Sequence, residues 1–325
     1  MSFKSRRVLA TGGAGFIGSW IVDKIALHEP EEIVVIDNLF SGKMENLTNA
    51  KNKVGNRLKI YKKDATDYKA LKEIFVREGD VDVVFNLAVK PLFVSFIDPA
   101  DAFWTSVKIA LNLLEIQRQG MFKTLIHFSS SETYGTAQYV PMDENHPLQP
   151  TTTYGAGKAA ADHLAMSYYK SYGNDVSIIR PFNNFGPRQN EETHAAVIPT
   201  TILKILNGEI PVIFGDGNQT RDFIYVEDTA EAAIAVYEIK ATRGKILNIG
   251  RSKETSINEL VALIMKTMRC KSHILHDKPR VGDIRRHCAD ISLAKAIIDF
   301  NPRTSLERGL QKTVAWYASK YSDQK

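Results

Sequence analysis

Cysteine is nearly absent from this sequence. Cys270 and Cys288, two in 325 residues, make no disulfide framework, and their spacing fits no zinc pattern. A reducing, cytosolic setting is the simplest expectation. No apolar stretch approaches the length of a membrane span, and the opening MSFKSRRVLATGG lacks the apolar core of a signal peptide. No membrane partner is expected. Long runs of like charge are missing too. The net charge of +5 is spread along the chain, which suits an anionic small ligand and gives no support for nucleic-acid binding. Repeats, low-complexity tracts and long Gly/Ser linkers are also lacking. What remains is the composition of an ordinary soluble protein, 44% hydrophobic and 24% charged. Its length allows one large or two moderate domains.

Periodicity then gives the fold class. Short β-branched runs at Arg7-Val8-Leu9-Ala10, Ile33-Val34-Val35-Ile36, Leu58-Lys59-Ile60-Tyr61, Val81 to Leu87, Thr124 to Phe128 and Val176 to Ile179 read as strands buried on both faces. Helical patterns at about 16–28, 67–78, 100–119 and 152–172 separate them. Such alternation predicts an α/β fold, a Rossmann-type doubly wound parallel sheet with right-handed crossovers. The pattern changes near Arg180-Pro181. Residues 1–180 are expected to form the dinucleotide-binding domain, with a return segment near 216–248. Residues 181–325 are expected to form mainly a smaller C-terminal α/β substrate-binding domain, with helices at Val197 to Leu206 and near 226–239, 256–268 and 305–320.

The first turn carries Thr11-Gly12-Gly13-Ala14-Gly15-Phe16-Ile17-Gly18. Gly12, Gly15 and Gly18 permit a tight turn, close approach to a pyrophosphate and close helix–strand packing. The helix that opens at Phe16 and Ile17 turns its free N–H groups toward the anion. Nineteen residues after Gly18, the second strand ends at Asp37, placed to accept both hydroxyls of an adenosine ribose. Asn38 follows, and no basic residue comes before Lys43. The carboxylate would repel a 2′-phosphate, so the expected cofactor is NAD rather than NADP. Asp64 and Ala65 after strand three, and Leu87 and Ala88 after strand four, are expected to line the adenine and nicotinamide ends.

A second constellation lies further on. The run Ser129-Ser130-Ser131-Glu132-Thr133-Tyr134-Gly135 ends a strand in polar side chains, which strands disfavour. Tyr154 and Lys158 follow at helical spacing and share a face. An ammonium beside a phenol, with an oxidised nicotinamide nearby, favours the phenolate. A phenolate can take a proton from an alcohol while hydride leaves the same carbon. Gly155 and Gly157 between them cost about 1 kcal/mol each in a helix, so a cofactor or a neighbouring helix must approach closely there.

Together these residues resemble the extended short-chain dehydrogenase/reductases, and more narrowly the NAD-dependent epimerase/dehydratase group that acts on nucleotide sugars. The likeness extends through Arg180-Pro181-Phe182-Asn183, Phe185-Gly186-Pro187-Arg188, the run Gly215 to Phe223, and Arg280-Val281-Gly282-Asp283. It implies a catalytic set of Ser130, Tyr154 and Lys158. It implies that Asn183, Arg188, Arg221 and Arg280 hold the nucleotide diphosphate, with Ser131 and Asp283 in the same pocket. Arginine suits that task because its planar fork binds phosphate bidentately. Asn86, Val89 and Ser106 depart from the histidine, alanine and asparagine that the group often carries.

The resemblance implies oxidation at C4 of the sugar, and Glu132 then ranks the reactions. A carboxylate two residues past Ser130 suits a base for the C5 proton, so a 4,6-dehydratase comes first. The run from Ala137 to Leu148 is similar to a dehydratase acting on UDP-N-acetylglucosamine. A 4-epimerase comes second, since Lys90 resembles a lysine that touches the sugar in UDP-glucose 4-epimerases. A UDP-glucuronate decarboxylase comes third, followed by release of the keto sugar. An NAD-binding sensor or scaffold would be expected to lose Tyr154 or Lys158, and both are present. No metal site is expected. Helices 100–119 and 152–172 resemble those of a family homodimer.

Overall fold

The protein is described by a computed structural model covering residues 2–191, 195–279 and 284–322. The first half runs β1 (Arg7–Thr11), α1 (Phe16–Ala26), β2 (Glu32–Ile36), α2 (Thr48–Val54), β3 (Leu58–Tyr61), α3 (Tyr68–Glu78), β4 (Val81–Asn86), α4 (Pro99–Arg118), β5 (Phe122–Phe128), α5 (Thr153–Tyr172) and β6 (Asp175–Pro181). The second half runs β7 (Asn183–Phe185), α6 (Val197–Leu206), β8 (Val212–Phe214), β9 (Thr220–Tyr225), α7 (Val226–Glu238), β10 (Ile246–Ile249), β11 (Glu254–Ser256), α8 (Ile257–Thr267), β12 (Leu275–Asp277), α9 (Ser292–Ile298) and α10 (Leu306–Ser322).

Seven strands form one parallel sheet in the order β10-β6-β5-β4-β1-β2-β3. The order reverses between β1 and β4, and crevices for ligands open at such a switch point. The sheet is buried on both faces. Val8, Val35, Val83, Phe85 and Ile126 face α1 and α7, whereas Leu9, Val34, Val84, Leu125 and Val176 face α3, α4 and α5. That two-sided burial is why these strands read as continuous apolar runs.

A smaller layer sits over the strand ends. It holds a three-stranded sheet, β11-β9-β7, and a two-stranded one, β12-β8. Its own core, around Phe185, Ile202, Tyr225, Leu260 and Leu310, is separate from the two cores that flank the large sheet. Five of its strands have three to six residues, too short for a clear period-two signal in sequence. Among the described residues no helix is long and apolar enough to cross a membrane.

Candidate active site

A cavity of about 900 Å³ opens along the C-terminal ends of β1, β2, β4 and β5. Gly12, Gly15, Phe16, Ile17 and Gly18 form one wall. Gly12 has a left-handed φ of 69°, and a Cβ there would lie 2.7 Å from the Ala88 nitrogen. A Cβ at Gly18 would lie 2.2 Å from the Gly12 carbonyl oxygen. Both glycines are therefore required by close approach. Helix α1 begins after Gly15, and no side chain caps it. Its first amides are left for an anionic ligand.

Asp37 stands just past β2 and is buried. Its carboxylate accepts from the N–H groups of Ala14 at 3.0 Å and Leu39 at 2.8 Å. Burial raises its proton affinity, and those two bonds oppose the rise. Asn38, Asp64, Ala65, Leu87 and Ala88 line the same cavity. Asp64 accepts from Thr66 and, at 2.8 Å, from Asn38. Burial works against its ionisation, yet these donors and the nearby Lys90 hold the carboxyl below its ordinary range. A glycine cradle, an uncapped helix N-terminus and a carboxylate one strand away fit the pyrophosphate and ribose of a dinucleotide.

The four polar residues after β5 diverge. Ser129 points down and donates to Asp162 at 2.6 Å. Ser130 hydrogen-bonds the Tyr154 phenol, and its oxygen accepts from the Glu132 N–H at 3.2 Å. Ser131 is buried, with its hydroxyl 3.5 Å from Nδ1 of His287. Glu132 returns to the cavity beside Tyr154. The strand end thus distributes its side chains to the support below, the reacting centre and the smaller layer.

Helix α5 brings Tyr154 and Lys158 to this point. Thr152 caps it, accepting from the Gly155 N–H at 3.1 Å. Nζ of Lys158 donates to the Phe128 carbonyl at 2.6 Å. Burial pulls the Lys158 ammonium down to about 8, and Asp162 opposes that fall. The Tyr154 phenol is pushed up to about 12, first by burial, with the bond from Ser130 opposing and Glu132 and Asp162 adding to the rise. Low polarity around the ring is the largest influence on the phenol, and the Lys158 ammonium is turned to a main-chain carbonyl.

A second cavity of about 430 Å³ shares Ser130, Glu132, Tyr154 and Arg221 with the first. Asn183, Ser131, Gln219 and the strand Val212–Phe214 line it. Arg221 donates to the carbonyls of Thr220 and Ile284. Arg188 lies on the wall of the first cavity but pairs with Asp23 at 2.6 Å and sits over the Trp20 ring. Its Nη1 is buried and has no hydrogen-bond partner among the described residues. Lys90 also lies in the first cavity rather than the second. Its ammonium is 3.7 Å from the Phe40 ring centroid and 3.4 Å from Asp101. The loop after β4 folds it toward the Asn38–Asp64 side of that cavity. Arg280 and Asp283 lie outside the described residues. Among the described residues no cluster of His, Cys, Asp and Glu is arranged to hold a metal ion.

Sequence reasoning missed Asp162, His127 and Arg180, which lie buried beneath Lys158. One signal was available. Asp162 is four residues beyond Lys158 and therefore on the same helix face.

The family model described as GDP-mannose 4,6 dehydratase matches residues 9–313. A putative UDP-glucose 4-epimerase of Methanocaldococcus jannaschii is 35% identical over 311 residues, covering 95% of this chain and 97% of the relative. A UDP-N-acetylglucosamine 4-epimerase from Methanobrevibacter ruminantium, solved in complex with UDP-N-acetylmuramic acid, superimposes with a TM-score of 0.90 at 38% identity. It covers 98% of this chain and 99% of its own. A dTDP-glucose 4,6-dehydratase from Streptomyces venezuelae, solved with NAD bound, superimposes with a TM-score of 0.90 at 27% identity, covering 97% of this chain and 98% of its own.

Proposed function

The chain belongs to the NAD-dependent epimerase/dehydratase family of extended short-chain dehydrogenases/reductases, and on that premise we propose that it is a nucleotide-sugar 4,6-dehydratase. NAD on the glycine cradle would supply the hydride acceptor and the positive charge that the Tyr154 phenol lacks in the protein alone. Tyr154 then takes the proton from the C4 hydroxyl, and Ser130 steadies the same oxygen. Lys158 holds the ammonium behind them. The smaller layer supplies Arg221 and Asn183 to the nucleotide diphosphate.

Glu132 carries the choice of reaction. Its side chain lines both cavities and acts electrostatically on Tyr154. A 4-epimerase has no use for a carboxylate there, whereas elimination across C5 and C6 needs one. Glu132 takes the C5 proton once C4 is a ketone. Protonated, it can return that proton to the departing C6 hydroxyl, so that water leaves; the hydride held on NAD would then return to C6 and a proton would add at C5, leaving a product lighter than the substrate by one water. Ser131 faces His287 and takes no part. The sequence between Ala137 and Leu148 makes UDP-N-acetylglucosamine the first substrate to try.

The orientation of Ser131 favours a second reading. A serine is a poor acid for the departing C6 hydroxyl, and a 4-epimerase needs no acid there. Incubation of the Glu132→Gln variant with UDP-N-acetylglucosamine separates the two. The dehydratase reading expects reduction of the bound nucleotide and no product lighter by one water. Full turnover to a product of unchanged mass would establish epimerisation instead.

We also infer a homodimer built on α4 and α5. The two helices pack against each other, and α4 leaves Trp104 and Leu111 exposed. Light scattering should then give twice the chain mass of 36.4 kDa.

A further inference from the structure

Beneath the reacting centre runs a chain of buried polar groups for which the chemistry above has no role. It starts where β1 meets the glycine turn. The Thr11 hydroxyl accepts from the Ala88 N–H at 3.4 Å and donates to Oδ1 of Asn86 at 2.8 Å. That bond fixes the Asn86 amide, so its Nδ2–H donates to Nδ1 of His127 at 3.0 Å. His127 must then carry its proton on Nε2. This atom faces Oδ1 of Asp162 at 3.7 Å, beyond hydrogen-bond range, and among the described residues neither atom has a hydrogen-bond partner. The other carboxylate oxygen of Asp162 accepts from Ser129 at 2.6 Å and from Arg180 at 2.7 Å. All six side chains are buried.

We propose that Asp162 is a positioning residue for the C4 proton transfer: clamped by Ser129, Arg180 and His127 one helical turn beyond Lys158, it keeps that lysine an ammonium beside the Tyr154 phenol. The inference rests on the Tyr154–Lys158 chemistry of the family and not on which reaction follows C4 oxidation. The charged and titratable groups that face this point are Tyr154 and Asp162 from α5, His127 from β5, Glu132 from the turn after β5 and Arg180 from β6. Helix α4, also packed on α5, sends no charge that acts on Lys158 or Tyr154. Asp162 is the carboxylate that opposes loss of the Lys158 proton. The neutral amide–imidazole relay gives a reason for Asn86 where the family often has histidine. An asparagine with its oxygen taken by Thr11 offers a donor, and so selects the His127 tautomer that points at the carboxylate.

Lysine labelled with carbon-13 at Cε reports the ionisation of Lys158 in the NAD-loaded protein, with Lys158→Met assigning the signal. The midpoint should fall by on the order of one pH unit in Asp162→Asn and return in Asp162→Glu. An Asp162→Asn protein that folds, retains NAD and titrates at the wild-type midpoint would overturn the proposal. A purely structural role would lower stability without moving that midpoint. Should Arg180 left unpaired prevent folding, Asp162→Asn combined with Arg180→Met removes both charges, and a smaller fall is expected because the opposing cation is lost as well. The readout needs no sugar substrate, so an error in the dehydratase reading leaves this test intact.

Discussion

The carbonyl oxygen of Glu132 occupies the space beside Gly155: a Cβ on residue 155 would lie only 2.6 Å from it. The glycine after Tyr154 is thus demanded by the strand end that carries the proposed base. Gly157, two residues on, meets α4 in the same way, with a Cβ 2.7 Å from the Phe103 carbonyl oxygen. Neighbouring elements approach at both positions and offset the helix penalty of glycine.

Gly155→Ala should therefore push Glu132 away from Tyr154 without removing either group. A misplacement of about 1 Å costs on the order of a hundredfold in rate. Turnover is expected to fall by about that factor while retention of NAD stays near wild type. Unchanged turnover would mean that the turn yields freely and that the spacing of Glu132 and Tyr154 has no influence on rate.

Asp37 is the carboxylate at the ribose end of the proposed cofactor site. Asp37→Asn keeps its shape and removes its charge. Loss of a charged hydrogen bond to a hydroxyl is worth about 1.5–3 kcal/mol, so the Kd for NAD should rise by at least about tenfold. Fluorescence titration of protein stripped of nucleotide measures this directly. An unaltered Kd would place the ribose elsewhere.

His127 gives the protein an acid-sensitive component of stability. Burial, with Lys158 nearby, lowers its proton affinity from 6.5 to about 4. Between those values the unfolded chain binds a proton that the native state does not. The contribution is therefore complete above 6.5 and is lost as pH falls toward 4, by on the order of 3 kcal/mol. His287, also buried and lowered to about 3, acts in the same direction. Urea unfolding of wild type and His127→Gln at both ends of that range should show the loss on acidification reduced in the variant. An identical loss in both proteins would mean that His127 titrates normally in the fold.

The legibility of this molecule follows from the reach of its interactions. Six of the seven strands of the large sheet were readable because they are buried on both faces and alternate with helices whose apolar stripes recur over many turns; β10 fell only within the expected return segment. The small sheets were not, because strands such as Asn183–Phe185 and Glu254–Ser256 hold only three residues. The glycine turn, Asp37, Ser130, Tyr154 and Lys158 were readable as local motifs, and the structure brings them to one cavity. The contacts of Lys90 with Phe40 and Asp101 were not legible, because they depend on how the loop after β4 folds. The contacts of Arg188 with Asp23 and Trp20 from α1 were equally out of reach of the sequence. The Asp162–Arg180–His127 cluster draws on β5, α5 and β6, and only the helical spacing of Asp162 from Lys158 hinted at it.

The central claim is that Tyr154 removes the hydroxyl proton while hydrogen leaves C4 of the sugar. The most direct measurement uses UDP-N-acetylglucosamine deuterated at C4, mixed with NAD-loaded Glu132→Gln protein and quenched within one turnover. The account predicts deuterium in the nucleotide released from the denatured protein, and none when Tyr154→Phe is added. Deuterium that stays wholly on the sugar of the first variant while that sugar is converted to product, or equal transfer in both, would contradict it.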